Sequence, residues 1–509
     1  MKNIYILLIT ISVGFAACTG LEENPQSFIS PSQFYKTSND AVAAVNSIYF
    51  HLNQNDIVGQ PIYNSLYNTG LDFMTDDLSA GPGSPNPDVR SLSALTHSST
   101  LIRGKESWQQ HYSGINKANV AIERIPGITM DEKLKSRLLG EARFLRAFYY
   151  FDLVRQFGGV PLLLTDQTQL PIEQLQVPRN PVSEIYAQII TDLKESVNSF
   201  KAGSTGELGR ATEGAAKSLL SKVYLTKRDW ANAVTTAEEV INGSYGYVLL
   251  NDYSQVFLPA YKNSKEHIFS AQFNAVANIT NAVTSRDIAT GIPGLKGSYG
   301  DQLTFYTKGS DKYFSIYKLY SAKDKRRNVS FVTKYKSPTN GKWYGNLNDS
   351  KVPGDSVPYI NKYWDPNYAS TGKSEANANI IRFAEVLLIH AEAENELNGP
   401  TTKAYASLNK IRKRAGLDDL TSDLTKDQFR EAVYFDRRLE LVGEYQRFFD
   451  LIRQTGSEAT GVGPEGRGTL LKNLQAVGKT NVAAKHYLYP IPQFEIERNK
   501  KLTQNPGWE

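Results

Sequence analysis

Residues 129–164 read TMDEKLKSRLLGEARFLRAFYYFDLVRQFGGVPLLL, and no other stretch restricts the fold as much. Thr129 and Glu132 have the spacing of a capping box, which predicts a helix starting near Asp131. Leu134, Leu138, Leu145, Phe148 and Val154 continue it at helical spacing, and Gly158-Gly159 followed by Pro161 ends it. About 27 residues at ~1.5 Å each give a rod of roughly 40 Å. Its second half carries Phe144, Phe148, Tyr149, Tyr150, Phe151 and Phe157 around most of its circumference. A helix that is apolar on most sides must be packed on most sides. The chain is therefore expected to be mainly helical and built around this element, and 509 residues suffice for a sizeable core.

Helical spacing recurs at 32–52, 105–125, 182–200, 212–226 and 230–241. AAKSLLSKVYL and WANAVTTAEEVI alternate small and large residues, the pattern of tetratricopeptide-type helix pairs. Residues 382–399 with 404–416, and 428–443 with 444–453, give two more pairs. Counting the pair that holds the long helix, about four are expected. Arg382, Glu385, Glu392, Arg437, Arg438, Glu440, Glu444, Arg447 and Asp450 lie on these helices and are expected to form inter-helix ion pairs or a solvated face.

Two stretches break the pattern. Residues 53–100 contain GPGSPNP, the acidic cluster Asp72, Asp76 and Asp77, and several aromatics. Residues 245–378 are rich in Gly, Asn, Ser, Thr and Tyr, with short apolar runs at His267–Phe273 and Val329–Tyr335 and one helical pattern near Asp311–Tyr320. Long irregular segments inside a compact fold usually carry function. The run KDKRR at 323–327 is expected to be a solvated turn.

Ile4–Ala17 form an apolar run preceded by Lys2 and followed by Cys18, the only cysteine. The run is short for a membrane span, and FAAC resembles a lipobox with Phe15 in place of the usual Leu. Residues 1–17 are expected to be a lipoprotein signal peptide, Cys18 the lipidated (palmitoylated) residue, and 18–32 a tether. Past Cys18 no cysteine remains, which excludes internal disulfides, thiolate nucleophiles and cysteine metal sites. The six histidines are scattered outside any metal spacing, and no GxSxG elbow or P-loop is present. Gly461–Gly466 matches GxGxxG by letter, but a helix precedes it and Pro464 removes a donor, so a loop is expected. The formal charge is +5 with both signs interleaved, which gives no nucleic-acid footprint.

GEARFLRAFYYFDLVRQFGGVPL, DRRLELVGEYQRFFDLIR and YLYPIPQFEIERNKKLTQNPGW resemble motifs of the SusD/RagB family of Bacteroidetes outer-membrane nutrient-binding lipoproteins. Tyr445 and Asp436 depart from the Gly and Glu of those motifs. The resemblance implies a SusD-like α-helical domain over 33–509, with repeats at about 105–243 and 379–453 and ligand-binding loops at about 53–100 and 245–378. It implies a surface protein that captures oligosaccharide or polysaccharide for a SusC-like TonB-dependent transporter in polysaccharide utilisation and nutrient uptake, without catalysis or cofactor. Peptide capture in the manner of RagB, and glycoside hydrolysis by two carboxylates, remain open alternatives.

A pyranose offers C–H bonds to an aromatic plane and hydroxyls to Asp, Asn and Arg. Trp108 and Trp230 fall on repeat helices and Trp508 at the terminus, whereas Trp343-Tyr344 lies among Gly, Asn, Asp, Ser and Lys. Tyr67, Asp77, Arg90, Tyr306, Trp343 and Tyr344 are the candidate ligand-binding residues. Asp72, Asp76 and Asp77 could suit a structural Ca²⁺, but they lack the twelve-residue loop that usually holds one.

Overall fold

The computed structural model describes residues 34–54, 61–63, 70–80, 86–168, 170–203, 206–277, 279, 302–304, 316–332, 334–336, 340–345, 359–363, 365, 373–455 and 468–509. The fold is mainly helical with a few short strands. The principal helices are α1 (Ser38–Asn53), α2 (Pro87–Ala94), α3 (Ile102–Arg124), α4 (Glu132–Phe157), α5 (Val182–Ala202) and α6 (Glu213–Lys227). They continue with α7 (Trp230–Ile241), α8 (Phe383–Asn398), α9 (Thr402–Arg414), α10 (Lys426–Leu441), α11 (Arg447–Arg453) and α12 (Leu470–Ala476). Packing follows the chain: α1 on α3, α3 on α4, α4 on α5, α5 on α6, α6 on α7, α7 on α8, and α8 on α9 and α10. This is the stacking of helical hairpins expected of tetratricopeptide-type pairs.

The long helix α4 begins where the sequence predicts, with a different cap. The Asp131 side chain accepts from the Leu134 backbone N–H at 2.8 Å, so the capping acceptor is Asp131 and not Thr129. Asp131 itself occupies the half-in position, from which a short carboxylate reaches the third helical N–H directly. Gly158, at φ +74°, ends the helix. Phe144, Tyr149, Tyr150 and Phe157 are completely buried, and two polar residues of the helix, Arg146 and Glu141, pair with neighbouring segments. Arg146 holds Asp192 of α5 through two hydrogen bonds of 2.8 and 2.6 Å and Asn119 of α3 at 3.0 Å. Glu141 accepts from Arg210 at 2.7 Å and from Tyr49 of α1 at 2.8 Å. Residues 489 and 505 close the other end: Asn505 donates to the Phe157 carbonyl at 3.0 Å and Tyr489 N–H to that of Gln156 at 2.7 Å, satisfying acceptors that a helix end leaves open.

Eight short strands are described: β1 (Leu78–Ala80), β2 (His267–Ala271), β3 (Gln302–Thr304), β4 (Phe331–Val332), β5 (Lys334–Lys336), β6 (Trp343–Gly345), β7 (Tyr359–Ile360) and β8 (Ala378–Arg382). They form an antiparallel four-stranded sheet in the order β1-β3-β7-β4, a β2-β8 pair and a β5-β6 hairpin. The helical pattern near Asp311–Tyr320 is a 3₁₀ turn at Ile316–Leu319, and residues 311–315 lie outside the described residues. The 323–327 run is a turn that exposes Lys323 and Lys325, as expected, but buries Asp324 and Arg326. Arg326 is completely buried because Asp324, Asp436 and Glu440 surround its guanidinium.

Gly114 lets α3 approach α4: a Cβ there would lie 2.4 Å from the Tyr149 ring. Gly114→Ala should therefore destabilise the chain by about 1–3 kcal/mol. Gly127→Ala, with nothing within 4 Å of its Cβ, should leave the thermal midpoint nearly unchanged. Equal midpoints for the two variants in a thermal scan would contradict this packing.

Candidate functional site

The irregular segments are organised by a buried charge network at the C-terminal end of α10. Glu440, on its last turn, accepts from Arg382 at 2.6 Å and also from Arg414. Arg382 ends β8, and it further binds Glu444 at 2.7 Å and Glu266 at 3.1 Å. Lys362, just past β7, donates to Glu444 and to the Glu440 carbonyl, each at 2.8 Å. Arg326, just before β4, pairs with Asp324 at 2.8 Å and Asp436 at 3.0 Å. Burial pushes the Glu440 carboxyl up, but Arg414, Arg382 and Arg326 beside it overrule that and hold it well below the usual carboxylate range. Burial, opposed by Glu444, lowers the Lys362 amine to about 8.

The acidic cluster of 70–80 is anchored to the same helix and to the start of α11. Arg447 grips both oxygens of Asp76, at 2.8 and 2.7 Å, and Arg438 holds Asp77 at 2.6 Å. Lys479 donates to the carbonyls of Phe73 at 2.6 Å and Leu78 at 3.0 Å. Among the described residues no group of three His, Cys, Asp or Glu side chains could hold a metal ion. The three aspartates also differ in charge. Burial, with Asp77 beside it, pushes Asp72 well above the usual range, whereas Arg438 and Arg447 overcome burial and hold Asp76 below it.

From this anchor β1 runs into the sheet, where Leu78 faces Thr304 and Ala80 faces Gln302. One strand from 53–100 and three from 245–378 thus form a single sheet. Phe73, Leu78, Val89, Phe331, Ile360 and Leu439 make a small core of their own beneath it. Beside the sheet in sequence, the β5-β6 hairpin sets Trp343 opposite Lys336 and Tyr344 opposite Tyr335. Trp343 is 67% exposed, more than any other aromatic residue described.

The candidate residues divide as follows. Trp343 is an exposed ring on a strand, and Tyr344 follows it on β6. Arg90 is exposed on α2, one residue from Val89 in the small core, which places it at this end of the molecule. Asp77 is buried, with its carboxylate engaged by Arg438, so its role in this structure is to hold β1. Tyr67, Tyr306 and Cys18 lie outside the described residues. Sequence reading passed over Phe435, 43% exposed on α10. It lines a cavity of about 320 Å³ with Glu431, Tyr434, Arg438 and Asn473, a mixture of rings and hydrogen-bonding groups suited to a sugar. The available signal was its position off the buried stripe of Phe429, Val433 and Glu440.

Residues 265–508 match the model of the SusD family, and residues 86–225 match the family described as starch-binding associating with outer membrane. The chain is a SusD-like family protein. It is 27% identical to SusD-like protein P2 of Formosa agariphila, over the full length of both chains. A SusD superfamily structure from Parabacteroides distasonis superposes with a TM-score of 0.75 at 27% identity, covering 92% of this chain and 99% of that one. A laminarin-binding SusD-like protein superposes with a TM-score of 0.73 at 26% identity, covering 93% and 100% respectively. This SusD-like chain therefore belongs among glycan-binding proteins whose family is associated with the outer membrane.

Two outcomes test the charge network. Arg382→Gln leaves Glu440 and Glu444 short of a buried partner and should cost on the order of 3–5 kcal/mol in chemical denaturation. Because Glu440 titrates lower folded than unfolded, its stabilisation is complete above about pH 5 and is lost progressively as pH falls below ~4. A wild-type midpoint that falls steeply below pH 4, with a shallower fall in Glu440→Gln, is expected; parallel slopes would contradict the assignment.

Proposed function

We propose that this chain is a non-catalytic surface lipoprotein, anchored through Cys18, that captures oligosaccharide or polysaccharide and hands it to a SusC-like TonB-dependent transporter. The observation that carries the ligand reading is the joining of the two irregular segments in one sheet, next in sequence to a hairpin that exposes Trp343. Exposing a tryptophan to water is unfavourable without a ligand to cover it, and a pyranose face is a good cover.

Trp343 supplies the stacking plane in this reading. Arg90, Tyr344, Tyr67 and Tyr306 are its proposed companions, and Asp77 acts behind the site by fixing β1 through Arg438. A shallow surface of this kind relies on a few rings and hydrogen bonds, so affinity on the order of micromolar to millimolar is expected. The resemblance to a laminarin-binding protein makes a β-glucan the first polymer to offer, and favours glycan over peptide. Helices α3 to α10 serve as the rigid frame, on which binding loops need no secondary structure of their own. No step of the proposed function requires a bond to be broken.

Native affinity electrophoresis of the unlipidated chain, from Thr19 onward, against laminarin and other polysaccharides tests this. Retardation by at least one polymer, without release of reducing sugar, is expected. Trp343→Ala should weaken that retardation at least tenfold in apparent Kd, about 1.4 kcal/mol, while leaving the thermal midpoint within a degree or two because the ring is exposed. Undiminished retardation in the variant would remove Trp343 from the site, and sugar release would overturn the non-catalytic reading.

A further inference from the structure

Away from the sheet, α4, α5, α6 and α11 enclose a cavity of about 470 Å³. Its volume lies in the range of small-molecule sites. The walls are apolar and aromatic, with Val154, Tyr186, Leu225 and Phe449 among them. Five cationic side chains also line it, Arg155, Lys222, Lys227, Arg437 and Arg453, against one carboxylate, Asp450. Behind them stand three more carboxylates. Asp152 pairs with Arg155, Glu385 with Lys222 and Arg437, and Glu392 with Arg453. Cations exceed carboxylates by one even when these are counted.

Arg437 and Lys222 each retain a donor. Arg437, 2% exposed, spends Nε on Asp450 and Nη2 on Glu385 at 2.9 Å, while its buried Nη1 has no hydrogen-bond partner among the described residues. Lys222 Nζ lies 2.9 Å from Glu385 Oε1 and donates to Gln446 at 2.7 Å, which leaves the third of its three N–H bonds. Both side chains meet the same oxygen, Glu385 Oε1, which sets the two cations side by side. Burial, with Arg155 and Arg437 adding to it against the pull of Glu385, holds the Lys222 amine below its ordinary range. An anion at this point would relieve that repulsion and satisfy the buried guanidinium nitrogen.

We propose that this cavity binds a small monocarboxylate carried on an apolar body, with the carboxylate on Lys222 and Arg437 and the body against Tyr186, Leu225 and Phe449. The apolar walls disfavour a free inorganic anion, which would lose hydration without hydrogen bonds on its other side. They equally disfavour a sugar ring edged with hydroxyls. The cavity is thus a second binding site, separate from the glycan surface and different in ligand chemistry.

Isothermal titration with 3-phenylpropionate, its neutral amide and sulfate tests the assignment on the wild-type chain. Saturable binding of the acid is expected, with the amide and sulfate each at least tenfold weaker. Equal binding of acid and amide, preferential binding of sulfate, or no heat from the acid at millimolar concentration would overturn it. Ser183→Trp, an exposed position that lines the cavity without touching its ion pairs, should weaken the acid at least tenfold and leave polysaccharide retardation unchanged. Undiminished binding of the acid by that variant would place the ligand elsewhere. The two sites therefore fail or survive separately.

Discussion

The end of the molecule that holds the sheet depends on the cations gathered around Glu440. Three guanidinium groups, Arg326, Arg382 and Arg414, meet one carboxylate on the last turn of α10. Each comes from a different segment, one just before β4, one at the end of β8 and one at the end of α9. A buried ion cluster is not a strong source of net stability, since desolvation offsets most of its attraction. Its physical effect is selective, because any strand that slips out of register leaves a charge buried without its counter-charge. Short strands of two to five residues have little register preference of their own, and the cluster supplies it.

Helix α4 plays the complementary part in the scaffold. Its second half is buried nearly all round, and two of its buried polar residues reach different neighbours, Arg146 to α3 and α5 and Glu141 toward α1. Asn505 and Tyr489, far along the chain, return to cover its last carbonyls. A rigid frame of this kind fixes where the irregular segments emerge. It also creates the charged cavity beside the C-terminal end of α4, which Val154, Arg155 and Gly158 line.

The helices were legible in the sequence because their apolar residues follow a 3.6-residue period over many turns. The boundaries of α4, α5, α6 and α7 fall within a residue or two of those expected. The acidic and basic residues of α10 and α11 were expected in inter-helix pairs or on a solvated face, and the structure buries them in pairs. What the sequence could not convey was long-range partnership. Arg326 looks solvated because its local neighbours are charged, yet its partners Asp436 and Glu440 lie more than a hundred residues away. Asp77 looked available for a ligand for the same reason, since Arg438 is 361 positions distant. Trp343 stood out because its environment is local: a ring among Gly, Asn and Lys has nothing nearby to cover it.

The central claim is that a sheet joining two distant segments, together with the neighbouring hairpin, forms the glycan surface while the helical frame stays outside it. Hydrogen–deuterium exchange with and without a polysaccharide that retards the chain tests it most directly. The account predicts protection of backbone amides at 78–80, 302–304, 331–345 and 359–360, with α3, α4 and α5 unchanged. Protection confined to the helices, with the sheet and hairpin exchanging as in the free protein, would contradict it.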